Sequence, residues 1–376
     1  MSQTRTLSSM INGIKAILPD ALGPSPPRLS QPYLTGFRGL LVAESFIWLW
    51  LQTFVPAVAS DAVHGPLYQE ILRKVFAVLF WEKGLIFSFF LTLSARTCCI
   101  HFLNDPSGPV YARSLITRPL RVGLSISIAL ALSFAIFPKI DTTYIGTAAH
   151  LLENPTLETP STPANGLAAA NSIYNLLWVV RDFAEQEGNQ AWPSKTMWAP
   201  SLIYFQNYTV YIFMVILPFT RPTWHIKGLF FFSLGSFWFN SWGYFSAAGL
   251  FLADVSLNTT LRGRLTTGAR ISENMTFPYW AMAALLVSVG LSLKYVWMAA
   301  FPQYAEYDLV LHPHLDGLTT DGTWKDVDTS STYPRLDNYL VVVGTLLLLE
   351  TSERMKKLFS LRVMIYLGKR SLSKHP

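Results

Sequence analysis

The first apolar stretch of the chain carries two ionisable side chains, and charge in such a stretch defaults to a functional reading because burying it in lipid is costly. In Tyr33-Leu-Thr-Gly-Phe-Arg-Gly-Leu-Leu-Val-Ala-Glu44, Arg38 and Glu44 stand about two helical turns apart. Arg38 can neutralise a phosphate or a carboxylate and Glu44 can accept a proton, which makes them the candidate catalytic residues. The plainer alternative is that Arg38 snorkels to the interface and Glu44 pairs locally. A second set lies in Arg113-Ser-Leu-Ile-Thr-Arg-Pro-Leu-Arg121. Read as a basic cytosolic turn, Arg113, Arg118 and Arg121 have guanidinium forks that match phosphate geometry. The competing reading is that they enforce topology and touch anionic lipid. Lys294, in a later apolar run, reads as a counter-ion or, preferably, a snorkelling lysine.

Imidazoles are few and scattered. His64, His101, His150, His225 and His375 have no ligand-like spacing, and none lies in the first apolar stretch. His312-Pro-His314 sits near Asp308 and Asp316, yet lacks the third and fourth ligands that zinc needs at recognisable spacing. A solvated loop is the preferred reading there and no metal is expected. No phosphate-cradling glycine loop, nucleophile elbow or dinucleotide fingerprint occurs.

The elements that must position these groups are membrane helices. Of 376 residues, 51% are hydrophobic and 14% charged, and mean hydropathy is +0.31. A soluble domain carries about a quarter charged residues. The net charge of +6 comes from cations gathered at the ends of apolar runs, a pattern that points to membrane topology and away from nucleic acid. Spans of about 20 apolar residues are expected near 36–58, 84–103, 122–137, 200–217, 226–240, 242–257, 281–301 and 339–349. The expected fold class is therefore all-α, a polytopic membrane protein of about eight helices. Glycines at 235, 243, 249 and 290 suit close helix packing in lipid. The neighbouring Cys98 and Cys99 exclude a disulfide framework and read as free thiols or, less favourably, as palmitoylation sites.

Charge also sets the topology. With the N-terminus in the cytosol, roughly nineteen Lys and Arg fall on the cytosolic side and roughly eight on the other, which gathers most of the acids instead. N-in and C-in termini follow. The expected organisation is a cytosolic leader over 1–32, a membrane domain over 33–373 with large non-cytosolic loops at 139–198 and 303–336, and a tail over 374–376. One amphipathic helix, 173–187, is expected in the first loop with Leu176, Leu177, Val180 and Phe183 facing inward. The leader reads as a surface helix over 7–18 or as a disordered segment, and it carries no secretory signal.

Several islands resemble a known family. Leu34-Thr-Gly-Phe-Arg-Gly-Leu40 looks like the opening signature of the acyltransferase 3 family of integral membrane acyltransferases. Phe89-Phe-Leu-Thr-Leu-Ser-Ala95, Ser114-Leu-Ile-Thr-Arg-Pro-Leu-Arg121, Met197-Trp198, Phe205-Gln206 and Tyr211 resemble its second helix, basic turn and central spans. Tyr244-Phe-Ser-Ala-Ala-Gly-Leu-Phe-Leu-Ala-Asp254 is similar to a later helix end, and Tyr366-Leu-Gly-Lys-Arg-Ser-Leu-Ser373 to the opening of the last span. The islands keep the family's order, and the loops resemble those of fungal members.

The resemblance implies an enzyme transferring an acyl group from acyl-coenzyme A to a hydroxyl of a lipid, sugar or secondary metabolite. Its setting would be a multi-pass protein of the endoplasmic reticulum or another endomembrane, in contact with membrane lipids. It assigns Arg113, Arg118 and Arg121 to the donor's phosphates and Arg38 to the reaction centre. Three departures favour an alternative, an inactive relative that binds or scaffolds. The family's general-base histidine falls on Leu49, its usual glutamate falls on Ile203 or Tyr204, and its last span would lie beyond Ser373. Glu44 is then the nearby first-helix group able to take a proton. A transporter is the weaker alternative, since no internal repeat appears.

Overall fold

Proline punctuates the first helix: α1 (Pro32–Phe54) opens on Pro32, whose fixed φ suits a first turn, and ends where Val55 leaves the helical region ahead of Pro56. The computed structural model describes residues 31–60, 65–140, 143–152, 165–179, 198–257, 269–272, 275–313 and 332–370, with single positions 154, 157 and 163. A helical stretch from Leu67 to Phe80, with a π-turn at Arg73–Ala77, breaks at Trp81. Glu82 then caps α2 (Lys83–Asn104), its carboxylate accepting from the amides of Gly84 at 2.8 Å and Leu85 at 2.6 Å. There follow α3 (Gly108–Ile136), α4 (Thr143–Leu151), α5 (Gly166–Trp178), α6 (Trp198–Ile216), α7 (Pro222–Trp238) and α8 (Gly243–Leu257). A short antiparallel ribbon, β1 (Ala269–Ser272) with β2 (Met275–Phe277), leads to α9 (Tyr279–Tyr295). A 3-10 segment (Pro302–Leu311), α10 (Leu336–Thr351), α11 (Glu353–Phe359) and α12 (Arg362–Arg370) complete the described chain.

α2 is the hub, packing against α8, α6, α10, α1 and α3. Lipid tails are as apolar as leucine, so helices in a bilayer associate through close contact rather than hydrophobic expulsion. Gly249 is where that matters most: a Cβ there would lie 2.5 Å from the Thr92 carbonyl oxygen and 2.7 Å from the Ala95 Cβ. Only hydrogen lets α8 settle on α2. Leu85, Phe89, Leu93, Phe245, Leu252, Val342 and Leu346 fill the centre around this crossing.

Among the described residues, five helical segments are long and apolar enough to cross a membrane: Pro32–Phe54, Leu67–Asn104, Gly108–Ile136, Trp198–Phe219 and Tyr279–Ala300. Each of the other expected spans coincides with a helix too, but α7, α8 and α10 are shorter. α8 is buried on nearly every side, so its outer surface meets protein rather than lipid. Cys98 and Cys99 are buried in α2, which removes the palmitoylation reading.

Two expectations need correcting. The third helix begins at Gly108, so Arg113, Arg118 and Arg121 are helical residues and not a turn. The first-loop helix is α5, capped by the Asn165 side chain accepting from the Ala168 amide at 2.8 Å; 180–187 lies outside the described residues. Leu176 and Leu177 are buried as expected, but against Ile126, Leu130 and Gly123 of α3. Gly123 is about 22 Å along α3 from its start, so α5 packs within the depth of the bundle. Finally, α12 packs closely across the first turns of α1, with Gly368 against Thr35 and Gly39. The leader helix over 7–18 and the tail beyond Arg370 lie outside the described residues.

Candidate functional site

Arg118 is the centre of the candidate site. It lies about 15 Å into α3, and its buried guanidinium turns toward the middle of α2 and α6. It donates to Ser94 Oγ at 3.0 Å, the Ser94 carbonyl at 3.0 Å, Thr97 Oγ1 at 3.0 Å and Asn207 Oδ1 at 2.9 Å. All four acceptors are neutral. Ser94 and Asn207 both fall near the midpoints of their helices, so the charge sits deep in the bundle. A cation taken out of water with only dipoles around it is costly, and is retained where something anionic returns that cost.

Other cations converge on it. Arg38, half-buried on α1, is within electrostatic reach of both Arg118 and Arg96, and has no ion-pair partner among the described residues. Arg121, one turn along α3, also feels Arg118. Arg96, nearly inaccessible on α2, donates to Glu350 Oε1 at 2.5 Å and Gln31 Oε1 at 2.9 Å. The Tyr33 hydroxyl donates to the same carboxylate at 3.0 Å. Arg38 therefore senses two other guanidinium groups, and among the described residues Glu350 is the carboxylate that pairs with one of them. The arrangement can hold a polyanion such as a phosphate, and its forked donors fix orientation as well as charge.

The residues expected from the sequence are placed unevenly. Arg38, Arg118 and Arg121 come together; Arg113 is half-buried nearer the start of α3. Glu44 is half-buried on α1, with no hydrogen-bond or ion-pair partner among the described residues, so the local pairing with Arg38 does not form. Its α-carbon is about 9 Å along the helix from that of Arg38 and about 120° around it, so the two present different faces. His101 is the imidazole that feels the cluster, through Arg118. Sequence reasoning missed the Arg96–Glu350 pair, whose members are 254 residues apart. Two oppositely charged residues at matching ends of apolar runs were the available signal.

A second charged cluster occupies the other end of α2. Lys294, fully buried on α9, donates to Glu82 Oε2 at 2.7 Å and Asn338 Oδ1 at 2.5 Å, so it does not snorkel. Arg335 pairs with Asp337 at 3.0 Å. Burial pulls the Arg335 guanidinium down, yet the Asp337 carboxylate holds it above the usual arginine range. His312 is not in a solvated loop: it is buried against the Phe237 ring, with Nδ1 2.6 Å from the Phe237 carbonyl oxygen. Burial pushes its imidazole down to about 4. His314 lies outside the described residues, and no metal-ligand cluster occurs among them. This cluster cross-braces α2, α9 and α10, whereas Arg118 and Arg38 have no carboxylate partner among the described residues. No family model matches the chain, and no curated protein or solved structure matches it either.

Proposed function

We propose that this protein is a multi-pass membrane acyltransferase that moves an acyl group from acyl-coenzyme A to a hydroxyl of a lipid, sugar or secondary metabolite. The observation that carries the reading is the Arg118 guanidinium, buried at mid-depth on neutral acceptors and within electrostatic reach of Arg38. A coenzyme A pyrophosphate supplies the negative charge that such a group lacks. Arg38, Arg118 and Arg121 bind the donor phosphates, while Arg113 meets the donor nearer the bundle end. Glu44 takes the acceptor proton as the hydroxyl oxygen attacks the thioester carbonyl, and the thiolate leaves. General-base help of this kind contributes about 10²–10⁴ in rate.

The same reading has eight crossings with both termini in the cytosol, in an endomembrane such as the endoplasmic reticulum. What supports it is the charge bias of the connecting segments and the presence of a helix at each expected span. A second reading, a binding protein of the same fold without turnover, is favoured by one observation: α1 carries no imidazole, and Leu49 stands where the resembling family has its base.

Purified protein in nanodiscs, labelled acyl-coenzyme A and a metabolite extract test both. Label transfer that falls at least a hundredfold in Glu44→Gln supports the enzyme. Binding that needs Arg38 and Arg118 but gives no transfer supports the silent relative. If folded R38A and R118A proteins bind the donor as well as the parent, the proposal fails.

A further inference from the structure

The cluster at the Glu82 end of α2 contains an odd carboxylate. Its acids are Glu82 at the α2 N-cap, Asp337 in the first turn of α10, and Asp308 in the 3-10 segment. Its cations are Lys294 of α9 and Arg335 just ahead of α10. Lys294 is committed to Glu82 and Asn338, and Arg335 to Asp337. Three acids thus face two cations among the described residues. Asp308 is 1% exposed, and its carboxylate accepts from the Leu336 amide. Its Oδ2 has no hydrogen-bond partner among the described residues. The Tyr244 hydroxyl on α8 is also buried without a hydrogen-bond partner among the described residues, and it feels the Asp308 charge. Tyr333 feels it as well, while its own hydroxyl donates to the Ala305 carbonyl.

We propose that Asp308 is a proton-binding site, held as the neutral acid when the cluster is closed around it. A bound proton removes the surplus negative charge and turns Oδ2 from an acceptor into a donor. An ionised carboxylate in the same place would be an uncompensated buried charge. Burial, opposed by Arg335 and reinforced by Asp337, lifts this carboxyl to about 6. The proton's contribution to stability is therefore fully present below the unfolded carboxyl range, near pH 4, and is lost as pH rises through about 6. His312 works with the opposite sign: its neutral form adds stability above about pH 6.5 that is lost as pH falls toward 4. The two contributions mask each other in the native protein, so the difference between variant and parent is the quantity to read.

The test uses full-length protein in nanodiscs. Asparagine is the neutral isostere of the protonated acid, so Asp308→Asn should match the parent's unfolding midpoint near pH 4. It should exceed the parent by several degrees near pH 7, the gap opening through about pH 6. Difference infrared spectra of the parent should show a protonated-carboxyl band at about pH 5 that fades by about pH 8 and is missing from D308N. Failure of D308N to fold, a gap that does not change with pH, or a parent without the band at pH 5 would each overturn the proposal. The band is read on unmodified protein, so the outcome does not depend on the variant alone.

Discussion

At the middle of α2, Arg118 hands its protons to a serine, a threonine, an asparagine and a backbone carbonyl; near the start of the same helix, Lys294 closes on a glutamate and an asparagine. Both cations are buried, both bridge helices, and both are held by well-formed hydrogen bonds. They differ in whether an opposite charge is built in. A buried pair with its partner is a brace, and deleting one member leaves a stranded charge. A buried cation without one keeps its electrostatic capacity for something from outside. The partner list, rather than burial or position, separates the structural cluster from the functional candidate.

That contrast can be broken by substitution. The largest effect is expected at the brace: Lys294→Met should cost about 3–5 kcal/mol by stranding Glu82, read as a lowered unfolding midpoint in detergent. Adding Glu82→Gln should recover part of that loss; equal midpoints for K294M and the parent would dissolve the distinction. Leu177→Ala, which opens a void between α5 and Gly123, should cost about 2–4 kcal/mol by the same measurement. Its cost would establish that α5 is part of the bundle's packing and not a detached loop.

Arg118→Met is expected to behave in the reverse sense. Stability should change little or rise, while affinity for coenzyme A falls by about 1.5–3 kcal/mol, or roughly 10- to 150-fold. Isothermal titration at low salt reads this, and a large midpoint loss with intact affinity would move Arg118 into the structural class. The smallest effect belongs to the exposed pair Lys356–Glu353 on α11, at 2.9 Å. Glu353→Ala should cost about 0.2–0.5 kcal/mol, because water and salt screen an exposed i,i+3 pair.

Much of the bundle was legible because lipid imposes a length and a composition on any crossing helix. The apolar runs appear as helices near the expected places, and α1 ends just ahead of Pro56. Arg38, Arg118 and Arg121 stood out because arginine in or beside an apolar run is rare and expensive. Boundaries were less legible: α3 begins fourteen residues before the expected span, since a helix continues through Arg118-Pro119 when its neighbours supply hydrogen bonds and packing. Glu350 drew no reading from the sequence, and His312 read as a loop residue, because solvation is not written in local pattern.

Sequence alone determined that this chain carries apolar runs of membrane-helix length and composition, and that its helices follow those runs. Those properties are sums over neighbours in the chain, and hydropathy and charge add locally. Which charges meet was decided by tertiary structure. Arg96 finds Glu350, Lys294 finds Glu82, and Arg118 finds neutral oxygens from α2 and α6. Such pairings depend on helix rotation and on close crossings such as that at Gly249, where a difference of one methyl group decides whether two backbones touch.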